Sequence, residues 1–133
     1  MEKIRVLVAN RPRLMRELLL ATIADQPDME VAAGVSSDSD VVGAAAKYRP
    51  DFIIVSAEKS YERPLICDDL LAQNPQAIIL ALAPEFKRSE FSWAVIDHRS
   101  MYVETSDQGI SEQGILDTIR DRSRCGEGGA AVR

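Results

Sequence analysis

The chain has 133 residues, 46% hydrophobic and 28% charged, a balance suited to one soluble globular domain able to close a core without metal or disulfide. A net charge of −5 disfavours collection on a phosphate backbone, and a single histidine, His98, excludes paired-histidine metal motifs. No apolar run approaches the roughly 18 residues of a membrane helix, and two cysteines, Cys67 and Cys125, make no disulfide framework, so a reducing cytosol is the expected compartment.

Ile4 to Ala9 is an apolar run broken by Arg5 and predicts a first strand. Arg13 to Ala24 follows with Leu14, Met15, Leu18, Leu19 and Ile23 at helical spacing, and Pro12 stands where a first helical turn accepts proline. Glu30 to Val35 predicts the second strand. Ser39 to Tyr48 predicts the second helix, capped by Ser37 or Ser39, with Val41, Val42 and Ala45 turned inward and Pro50 as its stop. Phe52, Ile53, Ile54 and Val55 form the uninterrupted apolar run that a central parallel strand, covered on both faces, requires.

Arg63 to Gln73, opened by Pro64, predicts the third helix, and Ala77 to Leu82 the fourth strand. Lys87 to His98 is expected to be a fourth helix, Met101 to Val103 a short fifth strand, and Ser111 to Arg124 a last helix with Ile115, Leu116 and Ile119 toward the sheet. The glycine-rich end has nothing to bury, so residues 1–124 are expected to form the domain and 125–133 a tail or the start of a linker.

This βαβα rhythm predicts an α/β, doubly wound, five-stranded parallel sheet with helices on both faces and the flavodoxin-like strand order 2-1-3-4-5. Such sheets place their functional crevice beyond the carboxyl ends of the first and third strands, at Ala9, Asn10 and Ser56. Neither a G-x-G-x-x-G after the first strand nor a Walker loop is present, which argues against a dinucleotide or flavin.

The runs IRVLVANRP, PDMEVAAGVSS, DVVGAAAKYRPDFIIVS and ILDTIR resemble a response-regulator receiver domain over almost the whole chain, and SRCGEGG is similar to the linker that precedes a LuxR-type helix-turn-helix. The resemblance sets the family's paired acids at Ala9 and Asn10, its phosphoacceptor aspartate at Ser56 and its Thr or Ser at Ala83. Its lysine falls at Thr105, with Glu104 as the neighbouring alternative, and the switch aromatic is kept as Tyr102.

None of those five positions retains the family's residue, so the resemblance implies a degenerate receiver. Mg²⁺ is held by carboxylates, waters and phosphate oxygens, whereas Asn10 and Ser56 offer an amide and a hydroxyl. A serine also needs a general base before it acts as a nucleophile. Asp51 precedes the third strand, about 15 Å from its carboxyl end at 3.3 Å per residue, at the wrong edge of the sheet for a relocated acceptor; Glu58 and Glu62 lie on the following loop and could approach. The expectation is a non-enzymatic module without cofactor or metal, acting in bacterial signal transduction or transcription regulation by protein contact.

Arg11, Arg13, Lys59, Arg63, Lys87 and Arg88 make the carboxyl edge basic, which admits a second reading as a sensor of a small anionic ligand centred on Arg11, Arg13 and Lys59; ion pairing with Glu58, Glu62, Glu85 and Glu90 is the alternative. If the expected fourth helix turns Phe91, Val95 and His98 to the sheet, Trp93 joins Met101 and Tyr102 on a surface of the fourth helix, fifth strand and fifth helix. A rotated helix would instead put Trp93 in the core. Receivers dimerise or dock partners on that surface, so a homodimer or a partner protein is expected there, with DNA reached only through a further domain and no membrane contact. Arg120, Arg122 and Arg124 suit a helix carboxyl end.

Overall fold

The computed structural model describes residues 3–10, 13–35, 38–56, 66–84, 91–96, 104–105 and 113–122. The strands are β1 (Ile4–Ala9), β2 (Met29–Gly34), β3 (Phe52–Ser56), β4 (Ile78–Pro84), β5 (Phe91–Ile96) and β6 (Glu104–Thr105). The helices are α1 (Arg13–Ala24), α2 (Asp38–Tyr48), α3 (Ile66–Gln73) and α4 (113–122). The sheet order is β2-β1-β3-β4-β5-β6.

β1 to β4 are mutually parallel and run in the expected order 2-1-3-4. Alternation of side chains across each strand sends two sets of residues to two faces. Leu7, Ala9, Ile53, Val55, Ile79 and Ala81 pack on one face against Val41 and Ala45 of α2 and Cys67, Leu70 and Leu71 of α3. Val6, Val8, Phe52, Ile54, Leu80 and Leu82 pack on the other against Met15, Leu19 and Ile23 of α1 and Ile115, Leu116 and Ile119 of α4. Phe52, Ile53 and Ile54 are fully buried because they lie in the middle of this sandwich, which explains why β3 has no polar face.

The far side of the sheet corrects the sequence reading. Residues 91–96, expected within a helix from Lys87 to His98, form β5, which pairs antiparallel with β4 through Ile79↔Ile96, Leu82↔Trp93 and Pro84↔Phe91. The sheet is therefore mixed and six-stranded among the described residues, rather than parallel and five-stranded. Phe, Trp, Val and Ile are strong strand formers. The span 85–90 also suffices to join antiparallel neighbours, whereas a parallel crossover needs a dozen residues or more. The expected strand Met101 to Val103 lies outside the described residues; Glu104 and Thr105 follow it as β6, antiparallel to β5.

Two polar arrangements close the amino edge of the sheet. Asp51 accepts the backbone N–H of Arg5 at 2.9 Å, while its own N–H donates to the Arg5 carbonyl at 2.8 Å. The Arg5 guanidinium reaches the carbonyl of Tyr48 at the end of α2 and pairs with Glu30 at 3.3 Å. Cations at a helix carboxyl end meet unpaired carbonyls and the negative end of the helix dipole. Arg49 ends α2 in the left-handed region at φ 47°, its N–H donating to the Ala45 carbonyl at 3.0 Å. Pro50 follows and bars further helix.

The second arrangement joins segments far apart in sequence. The Arg120 guanidinium on α4 donates to both carboxylate oxygens of Asp28 at 2.7 and 3.0 Å, and to Gln26 Oε1 at 2.6 Å. The hydrogen bond to Asp28 raises the Arg120 pKa above its ordinary value, so the guanidinium stays charged at any working pH. A forked contact of this kind fixes direction as well as distance. It holds α4 to the turn between α1 and β2.

Candidate functional site at the carboxyl ends of β1 and β3

β1 has β2 on one side and β3 on the other, so the carboxyl ends of β1 and β3 are the switch point at which open α/β sheets place their functional crevice. The register Ala9↔Val55 sets the next residues, Asn10 and Ser56, beside each other. Asn10 is fully buried, and its Nδ2 lies 3.5 Å from Ser56 Oγ, a long contact for a hydrogen bond. Its Oδ1 is buried with no partner among the described residues. Buried polar atoms nearly always find a partner; Asn74 Nδ2, ahead of β4 at the amino edge, is likewise buried and without one among the described residues.

α1 begins three residues beyond Asn10 and has no acidic side chain in its first turn. Arg13 at its start is largely exposed and pairs with Glu17 at 2.9 Å along the helix. Arg16, one turn on, reaches the backbone carbonyl of Asn10 at 3.5 Å. The amino end of α1 is thus positive both through its unpaired N–H groups and through its side chains.

Of the residues singled out in the sequence, Ala9, Asn10 and Ser56 come together at this switch point, and Arg13 starts α1 three residues beyond Asn10. Ala83 lies on β4 opposite Ser92, one residue past the Leu82 that pairs with Ser56. Thr105 and the alternative Glu104 are on β6, with β5 between them and β4. Trp93 sits on β5 in register with Leu82, not on a helix. Arg11, Lys59, Met101 and Tyr102 lie outside the described residues, as do Glu58 and Glu62. Asp51 is at the opposite end of β3, tied to Arg5, as the strand length required.

The sequence reading missed that Asn10 would be sealed from solvent while half its amide goes unmatched. It also missed Arg120, read there as a helix-end cation. The signal available for Asn10 was its place directly after a strand of buried residues; no local pattern announces the partner of Arg120.

No family model matches the chain, and no curated protein matches it in sequence. Among solved structures the chain is similar to the response regulator domain of Thermotoga maritima CheB, with 20% identity and a TM-score of 0.53 over 90% of this chain and 96% of that one. It is also similar to HypX from Aquifex aeolicus, both as a multiply substituted variant and in complex with tetrahydrofolic acid. Each HypX match has 13% identity and a TM-score of 0.53 over 97% of this chain, which spans 27% of the HypX chain. At such identities the likeness is one of fold. Through β1 to β4 and their helices, the chain shares the α/β fold of that response regulator domain.

Proposed function

We propose that this chain is a receiver-like module of bacterial signal transduction or transcription regulation, working in the cytoplasm through protein contact and without Mg²⁺-dependent aspartyl phosphorylation. It is not an enzyme in this reading. The observation that carries it is the Asn10–Ser56 pair at the switch point of the sheet. Acyl-phosphate chemistry needs a carboxylate nucleophile, and a hard divalent ion needs carboxylate oxygens beside it. An amide and a hydroxyl supply neither, while Asp51 is spent at the other end of β3. Similarity in fold to a response regulator domain supports the signalling part of the proposal.

Contact with a second copy or a partner protein is assigned to the β5–β6 end of the sheet, where Trp93 lies. DNA would be reached through a further domain such as a LuxR-type helix-turn-helix. Incubation with acetyl phosphate and Mg²⁺, followed by intact mass, tests the central point. The expected mass is unchanged. A stoichiometric adduct, stable to acid and labile to base, would overturn the proposal.

A further inference from the structure

We propose that the free edge of β2 pairs antiparallel with the β2 of a second copy of this chain, on a two-fold axis at Ala32, so that the two sheets run on as one. The pairing does not rest on the signalling reading. It gives the second copy its place at β2 and leaves the β5–β6 end, at the opposite edge, to a different protein.

The two edges of the sheet differ. Among the described residues β6 closes one edge with only Glu104 and Thr105, too short a strand to template another. β2 closes the other with six residues, Met29 to Gly34, and no strand lies on its outer side among the described residues. An edge strand presents unpaired N–H and C=O groups and is ordinarily guarded by charge or proline. The strand MEVAAG has no proline and one charge, Glu30, which Arg5 of the neighbouring β1 holds at 3.3 Å. On α1, Arg13 and Glu17 are likewise paired with each other. An edge neutralised in this way does not repel an identical one.

The register with β1 shows which strand fits. β1 pairs Val6 with Val31 and Leu7 with Ala33, passing over Ala32. This bulge sends Val31 to the α1 and α4 face and Ala33 and Val35 to the α2 and α3 face, although strict alternation would put all three on one face. A regular extended peptide added at the edge would lose register at Ala32. A second copy carries the same irregularity at the same residue, and the two coincide on the axis. Around that axis Glu30 meets Gly34 of the second copy and Val31 meets its Ala33, so no charge faces a like charge. Both faces beside the edge end in half-buried aliphatic groups, Leu20 and Val31 on one, Ala33 and Val35 on the other. A Cβ at Gly34 would lie 2.9 Å from Leu20 Cδ1, so α1 sits directly over β2 and its apolar flank reaches the edge. Pairing continues both aliphatic layers across the axis.

The test is size exclusion with light scattering over a concentration series, on the wild type and on Ala32→Asp and Ala32→Lys. The wild type is expected at twice the 14.7 kDa chain mass. On the axis each substitution opposes a charge to itself, so either variant alone should dimerise at least about tenfold more weakly. Mixed in equal amounts the two should recover the dimer as a heterodimer, which misfolded variants would not do. Amide hydrogen exchange on the wild type, which needs no variant, should slow at β2 as concentration rises and stay unchanged at β6. Thr105→Lys, at the other edge, should leave the dimer intact. A wild type that stays monomeric, exchange at β2 that ignores concentration, an Ala32 variant that dimerises as the wild type does, or a mixture that does not recover would each overturn the pairing. So would a dimer lost with Thr105→Lys, which would put the second copy at β5–β6 and leave the signalling proposal standing.

Discussion

Charged groups at the amino end of the sheet and the uncharged amide at its carboxyl end are held in different ways. At the amino edge, Arg5, Glu30, Asp51, Asp28 and Arg120 are charged, partly exposed and each paired at 3.3 Å or less. At the carboxyl edge, Asn10 and Ser56 are uncharged, Asn10 is sealed from water, and half of its amide is unmatched. Charges that need only hold elements together can stay where solvent lowers their cost. A buried polar group left incomplete costs stability and gains nothing structural from it. The contrast is therefore between charged pairs and uncharged amides rather than between whole edges, since Asn74, ahead of β4 at the amino edge, also has a buried Nδ2 without a partner among the described residues.

The largest effect should come from forcing the carboxyl edge to resemble the amino edge. Asn10→Asp places a carboxylate where no solvent reaches, which raises its pKa in the folded state above the unfolded value. A raised carboxyl pKa leaves the fold unharmed below the unfolded pKa and penalises it increasingly as pH rises through the folded one. Loss of about 3 kcal/mol at pH 7, shrinking toward acid, is expected from a shift of roughly two units. Combining it with Ala9→Asp and Ser56→Asp adds like-charge repulsion, so in chelator the triple variant should melt lowest of all. Urea unfolding at pH 4 and pH 7 checks both; equal stability of wild type and the variants at pH 7 would erase the distinction between the edges.

A smaller loss is expected at the amino edge. Arg120→Ala should cost about 1 kcal/mol, because the forked pair with Asp28 is only part-buried and water replaces much of what is removed. A double-mutant cycle with Asp28→Asn should return a coupling of similar size that falls in high salt. A coupling near zero would reduce the contact to a decorative one. Smallest, and opposite in sign, is Arg49→Gly. Glycine occupies φ 47° without a Cβ penalty, so this change should raise stability by about 0.5 kcal/mol. A lower denaturation midpoint would mean that the Arg49 side chain does more than end α2.

How much of this was legible depended on how local each cause is. The bounds of β1 and α1 followed from an apolar run and from Met15, Leu19 and Ile23 at helical spacing. β3 declared itself through four consecutive apolar residues. The placement of Asn10 beside Ser56 was legible only through the assumed strand order, which held for β1 to β4. Residues 91–96 were misread because Phe91, Val95 and His98 fit a helical spacing as well as Phe91, Trp93 and Val95 fit an alternating one. Short apolar segments satisfy both periods, and only a neighbour decides between them.

The sequence by itself determined which segments must be covered on both faces, since burial pattern and backbone period are properties of a dozen adjacent residues. It also determined that the crevice carries no carboxylate at Ala9, Asn10 or Ser56. Only the tertiary structure decided that β4 offers its free edge to an antiparallel strand, that Arg120 finds Asp28 across 92 positions, and that Asn10 is buried with one atom unmet. Those outcomes depend on which surfaces meet after the chain has folded back, and hydrogen bonding between distant residues leaves no trace in the order of either.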